Sequence, residues 1–157
     1  MMTERSVTHA TFTLRRLYEA APSQVFAAWA SAQSKSRWFG APDEGTTKLE
    51  LDFRIGGREH SEGRGPNGQL YRYDALYQDI VPNQRIIYAY DMHLDDERIS
   101  VSLATIEFTP ESGGTRLVLT EHGAYLDGLD KPEYREHGTN ELLDALGAVL
   151  ERQAVSP

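Results

Sequence analysis

The chain has 157 residues, 39% hydrophobic and 25% charged, a balance that suits one globular domain and argues against disorder. A formal net charge of −8 at pH 7 repels phosphate backbones and anionic bilayers, which makes nucleic acid and membrane surfaces poor partners. With no cysteine, disulfides, thiolate catalysis and cysteine-held zinc are excluded. The N-terminal stretch MMTERSVTHATFTL lacks an apolar run leading to a cleavage site, and nothing approaches the roughly 18 apolar residues that span a bilayer. A cytoplasmic protein with one domain over 1–157, its core from about 8 to 153, is therefore expected.

From Thr8 to Tyr18, Ala10, Phe12, Leu14 and Tyr18 keep the two-residue period of a strand, and Arg16 is the one charged residue in phase with them. Pro22 suits a first helical turn, with Val25, Phe26 and Trp29 on one face. A second short helix is predicted over Gln33 to Phe39, stopping at Gly40. After the loop APDEG, Leu49, Leu51 and Phe53 alternate with charged residues as in a half-buried strand. Gly56-Gly57 marks a turn into Arg58–Gly63, and Gly65-Pro66-Asn67-Gly68 marks another. Strands are then predicted over Leu70–Ile80, Arg85–His93, Ile99–Thr109 and Thr115–His122, joined by hairpin signals at Pro82-Asn83, Asp95-Asp96 and Ser112-Gly113-Gly114. Asp130-Lys131-Pro132-Glu133 resembles a capping box, opening a helix on which Leu142, Leu146, Val149 and Leu150 recur at helical spacing. The sum is an α+β domain, an antiparallel meander of about seven strands with a long C-terminal helix over one face. Gly138 lies mid-helix at a cost of about 1 kcal/mol relative to alanine. Either the sheet comes very close there, or the missing side chain leaves room.

Several stretches, in order, resemble a known family. They are Ala21-Pro22 with Val25-Phe26 and Trp29, then Arg37-Trp38-Phe39-Gly40, Phe53 through Glu59, Tyr77 through Ile86, Gly114 through Leu117, and Glu136-His137-Gly138 before Leu142-Leu143. Over about Thr8 to Gln153 the chain is similar to the SRPBCC superfamily of START-like and birch-pollen-allergen-like proteins, in the branch named for the activator of a heat-shock chaperone's ATPase (AHSA-type). The resemblance implies a helix-grip fold, a curved sheet around the last helix, with two short helices after strand 1. It also implies a cavity between sheet and helix for lipids, polyketides, hormones or aromatics. Some members are cyclases or dehydratases without a cofactor, and others contact proteins. Glu59 stands where that branch usually carries an aromatic residue. The resemblance covers one domain only, so direct stimulation of a chaperone is not expected.

Glu59 is the candidate catalytic residue. Facing a cavity, it could act as general acid or base, or anchor a polar ligand group; facing water or paired with Arg16, it would be structural. The candidate ligand-binding set is Trp38, Phe39, Phe53, Glu59, Tyr71, Tyr73, Tyr88, Tyr90, Tyr125, Tyr134 and Gly138, because ligand sites are mainly apolar with a few placed hydroxyls or charges. Parity groups Tyr71, Tyr73 and Tyr77 on one face of their strand and Tyr88, Tyr90 and Met92 on one face of the next, without saying which faces point inward. The segment His122 to Lys131 is the expected entrance loop.

Metal ligation is not expected, since no two of the five histidines stand in an HxH or HxxxH pair and Asp95-Asp96-Glu97 reads as a hairpin tip. His60 alternates away from Glu59. No GxSxG nucleophile elbow occurs, and GRGPNG lies between strands rather than opening a helix, so it is a turn. The expected partner is a small apolar or aromatic molecule, with no cofactor. A homodimer is an open case. The readings to be weighed are ligand binding, a cyclase or dehydratase using Glu59, and a chaperone-cofactor-like interaction module.

Overall fold

The computed structural model describes residues 4–40 and 48–155. The APDEG loop lies outside the described residues. Seven strands follow the alternating pattern: β1 (Val7–Tyr18), β2 (Lys48–Leu51), β3 (Arg58–Arg64), β4 (Leu70–Val81), β5 (Arg85–Leu94), β6 (Glu97–Glu111) and β7 (Gly114–Leu126). Two short helices, α1 (Pro22–Ala27) and α2 (Ala32–Lys35), follow β1, and α3 (Pro132–Val155) closes the chain. All strand pairs are antiparallel, in the order β1-β7-β6-β5-β4-β3-β2, so the first strand docks on the last and the rest form a meander.

Two bulges steer the sheet, one at Gln78 on β4, between the pairs made by Tyr77 and Asp79, and one at Ile99 on β6, opposite Met92 and His93 of β5. An extra residue on one strand raises the local twist and resets parity. The first brings Ile80 back toward the core after Tyr77, and the second places Ile99 inside as well as Ser100. The inner face so defined carries Phe12, Leu14, Tyr18, Tyr73, Tyr77, Tyr88, Tyr90, Ile106, Phe108, Leu117 and Leu119, and α1 and α3 cover it with Val25, Phe26, Leu143, Leu146 and Leu150.

Three boundaries depart from expectation. Helix α2 ends at Lys35, because residues 36–39 turn inward to bury Trp38. Strand β7 runs to Leu126 through continuous pairing with β1 and β6, so His122–Leu126 is sheet rather than entrance loop. Asp130 does not complete a capping box. The first turn of α3 bonds back to the carbonyl of Lys131, while the Asp130 carboxylate takes the Lys131 N–H and the Arg135 guanidinium.

Helix α3 approaches the sheet unevenly, and its two glycines mark the difference. A Cβ on Gly147 would lie 3.2 Å from the Tyr18 ring, whose hydroxyl donates to the Leu143 carbonyl at 2.8 Å. A Cβ on Gly138 would meet nothing within 4 Å. The C-terminal half of α3 is thus clamped onto β1, and its N-terminal half stands off.

The Gly56-Gly57 pair divides its labour too. Gly56 has φ +83°, a region that favours glycine, whereas a Cβ on Gly57 would lie 2.1 Å from the Asp52 carbonyl oxygen. Gly57→Ala is expected to cost about 1–3 kcal/mol in urea denaturation, the usual range for overpacking. Gly63→Ala, on the β3 strand that follows, meets nothing within 4 Å and should stay within ~0.5 kcal/mol.

Candidate functional site

Where α3 stands off the sheet there is a cavity of about 530 Å³, within the range that holds a small organic molecule. Tyr73, Tyr88, Tyr90, Met92 and Leu119 form its sheet wall, Trp29, Trp38 and Phe39 come from the α1–α2 region, and Gly138, Leu142 and Leu143 form its roof. The exposed lining residues Arg64, Pro66, Tyr134 and Glu141 mark its rim. The aromatic wall is a chain of edge contacts running Trp29–Trp38–Phe39–Tyr73 at centroid spacings of 4.7, 5.8 and 5.1 Å, with Tyr73 tilted against Tyr90 at 4.8 Å. Such pairs fix ring positions as well as burying area.

Of the residues singled out from sequence, Trp38, Phe39, Tyr71, Tyr73, Tyr88, Tyr90, Tyr134 and Gly138 line this cavity. Glu59, Phe53 and Tyr125 lie outside its lining. Phe53 packs edge-on against Phe26 and Tyr77. Tyr125 is buried over Gly123 with its ring 5.4 Å from the Arg135 guanidinium, and burial pushes its phenol up to about 12.

Glu59 points inward but is already engaged. Its Oε1 receives Lys35 Nζ at 2.7 Å and the Tyr77 hydroxyl at 2.6 Å, and both charged side chains are wholly buried. The proposed partner Arg16 reaches elsewhere, to Asp144 at 3.1 Å and Asn140 at 2.8 Å on α3. Arg16 lies on β1, separated from β3 by the four strands β7, β6, β5 and β4, and reaches the helix rather than α2. Lys35 Nζ lies 4.3 Å from the Phe39 ring centroid and 5.5–5.8 Å from those of Trp29, Tyr73 and Tyr88. Loss of water drives the lysine below its usual pKa, and Glu59 opposes that shift. The pair lies directly behind the cavity wall.

Sequence reasoning missed a second polar cluster, which does face the cavity. Glu121, 3% exposed on β7, accepts a hydrogen bond from the Tyr90 hydroxyl at 2.9 Å. That hydroxyl in turn accepts from Arg135 Nη1 at 3.0 Å, and Arg135 Nη2 donates to Ser100 and to Asp130 at 2.8 and 2.9 Å. Both residues carried a signal. Glu121 is in strand phase with Leu117 and Leu119, and Arg135 lies four residues before Thr139 on the inward side of α3. Burial raises the Glu121 carboxyl above the usual range, against the pull of Arg135.

The outer face of the sheet gathers Asp74, Asp91 and His93 with ligand atoms within 4.8 Å of one another, a convergence across β4 and β5 that linear spacing conceals. Two of the three are already engaged, Asp74 with His60 at 2.6 Å and Asp91 with Arg98 at 3.5 Å. Among the described residues, no helix is long and apolar enough to cross a membrane.

A curved antiparallel sheet gripping a long C-terminal helix, with an aromatic cavity between them, defines a helix-grip protein. Residues 19–151 match the family model described as activator of Hsp90 ATPase homolog 1-like protein, and the chain belongs to that family. It is similar to an uncharacterised protein from Rhizobium leguminosarum, at 45% identity and TM-score 0.92 over 96% of this chain and 99% of that one. A protein from Rhizobium loti has 45% identity and TM-score 0.84 over 91% and 98%. One from Chromobacterium violaceum has 28% identity and TM-score 0.78 over 90% and 96%. No curated protein matches the chain.

The Lys35–Glu59 pair makes a sharp stability prediction. Lys35→Met strands a buried carboxylate and should cost about 3–5 kcal/mol in urea denaturation, with at least half regained in Lys35→Met/Glu59→Gln. An additive double variant would mean the two charges do not act as a unit.

On the outer face, hydrogen bonds that the His60 ring donates to Asp74 first and Glu62 second raise its pKa above the ordinary 6.5. A raised folded-state value means stability that is complete below 6.5 and is lost as pH rises through the shifted pKa. His60→Gln should flatten the stability profile over that window, as read by urea midpoints at a series of pH values.

Proposed function

We propose that the protein binds a small, largely apolar molecule in the cavity between the sheet and the N-terminal half of α3. The observation that carries this reading is the open space at Gly138. An alanine would favour the helix by about 1 kcal/mol and would clash with nothing, so local stability does not account for the glycine. The volume and the aromatic lining suit a guest, and ring hydroxyls with the Glu121–Arg135 cluster supply a polar end. Family membership supports ligand binding at this level and names no ligand.

The alternative of an enzyme using Glu59 has less support. One oxygen of Glu59 already holds Lys35 and Tyr77, and its side chain lies behind the cavity rather than in it. A general base must reach the proton it removes. An interaction module of the chaperone-cofactor kind calls for a closed interior, which the cavity opposes.

Titration with the neutral fluorophore N-phenyl-1-naphthylamine tests the proposal. One-to-one saturation is expected, with a melting temperature raised by roughly 5–10 °C at a hundredfold excess over Kd. Gly138→Phe should keep the fold and weaken binding at least tenfold. Unsaturable binding, or an unchanged Kd in Gly138→Phe, rules the cavity out as the site.

A further inference from the structure

The polar end of the cavity has an uneven charge count. One guanidinium, Arg135, stands among two carboxylates, Glu121 and Asp130. Asp130 takes the direct bond at 2.9 Å, while Glu121 Oε2 lies 3.9 Å from Arg135 Nη1 and is reached instead by the neutral Tyr90 hydroxyl. Glu121 Oε1 accepts no hydrogen bond among the described residues, although Glu121 is 3% exposed and lines the cavity. The residues facing this carboxyl are Tyr90 and Tyr88 from β5, Tyr125 from β7, Arg135 from α3 and Asp130 before it. Arg135 is the one cation in that set. A buried carboxylate whose one cation stands 3.9 Å off and is shared with a second carboxylate is costly, and gains from a proton or a further counter-charge.

Resting on the cavity-binding reading above, we propose that the guest carries an amine, which enters as an ammonium and docks on Glu121 Oε1, and that carboxylate-bearing amphiphiles are disfavoured. The ammonium completes the charge count, and the aromatic walls accept the body that carries it. Tyr90 and Tyr88 add ring faces beside the amine, a favourable setting for a cation stripped of water. A carboxylate head would meet Glu121 and Asp130 with Arg135 already engaged by Tyr90, Ser100 and Asp130. Binding is coupled to a proton. An ammonium beside Glu121 favours its carboxylate form, so whatever proton the carboxyl holds in the empty cavity passes to solvent on binding. Burial of Glu121, which holds its pKa high, fits this coupling.

Three probes of one shape decide the matter: 1-naphthylmethylamine, 1-naphthylmethanol and 1-naphthoate. Calorimetry on the wild-type protein should give the amine at least tenfold tighter than the alcohol, and the alcohol tighter than the carboxylate. The amine's enthalpy should vary with the buffer's ionisation enthalpy in the sense of proton release, and its affinity should fall as pH is lowered while the alcohol's stays level. Glu121→Gln, checked for fold by circular dichroism, should bring amine and alcohol within about threefold and abolish the proton release. If that variant does not fold, the wild-type buffer series and pH series still decide. Equal affinities, a preference for the carboxylate, or amine selectivity that survives in Glu121→Gln would overturn the amine assignment and leave the cavity reading standing. Failure of all three probes to bind would overturn both.

Discussion

The ion pair between Lys35 and Glu59 is the constraint on which the cavity wall depends. Helix α2 has four residues, far short of the length at which a helix is stable alone. Two tethers hold it. The Ser31 hydroxyl accepts the Ser34 N–H at 3.1 Å, and Lys35 reaches across to β3. Trp38 and Phe39 follow within four residues of Lys35, and Trp38 is locked by its indole N–H on the Ala28 carbonyl at 3.0 Å. The position of the ammonium therefore sets where the rings begin, and the rings set one side of the cavity. Electrostatics in a dry interior is strong enough for this, provided both charges stay.

The same economy appears in α3. A uniform apolar face would seat the helix flat and fill the groove. Here Tyr18 and Gly147 draw one half in, and Arg16 pins the flank through Asn140 and Asp144. The other half is held at its start by Arg135, whose bonds to Tyr90, Ser100 and Asp130 bridge β5, β6 and the turn before the helix. Arg135 thus acts as a strut. It fixes the distance between helix and sheet at the point where no side chain fills the space.

Much of this was legible in the residues. Strand parity, the hairpin residues and the final helical period give the meander and its cover, because they report local geometry. Parity also grouped Tyr71 with Tyr73, and Tyr88 with Tyr90, correctly. What it could not do was choose the inner face or name partners across long loops. Lys35 gave no signal, since one lysine on a single helical turn looks solvated until its partner on β3 is known. Arg16 invited a partner, but the carboxylate it meets lies 128 residues away on the helix. Asp74, Asp91 and His93 converge only because β4 and β5 pair in a register that composition does not disclose. Glu121 and Arg135 are different. A charge in phase with apolar neighbours was the criterion applied to Arg16, and applied evenly it finds Glu121 as well.

Two buried carboxylates on one inner face therefore serve opposite ends. Glu59 has its countercharge built in, and its geometry is closed: a lysine and a phenol converge on one oxygen behind the rings. Glu121 has a phenol where a cation would be, and its nearest guanidinium is committed to Asp130. The first arrangement favours rigidity, because any movement separates charges in a medium that cannot screen them. The second leaves an acceptor facing empty space, which is destabilising for the empty protein unless the carboxyl is protonated. A fold that builds a lysine against one buried acid and leaves the other without a cation at hydrogen-bond distance, beside a cavity, has placed its charge deficit where a guest can remove it.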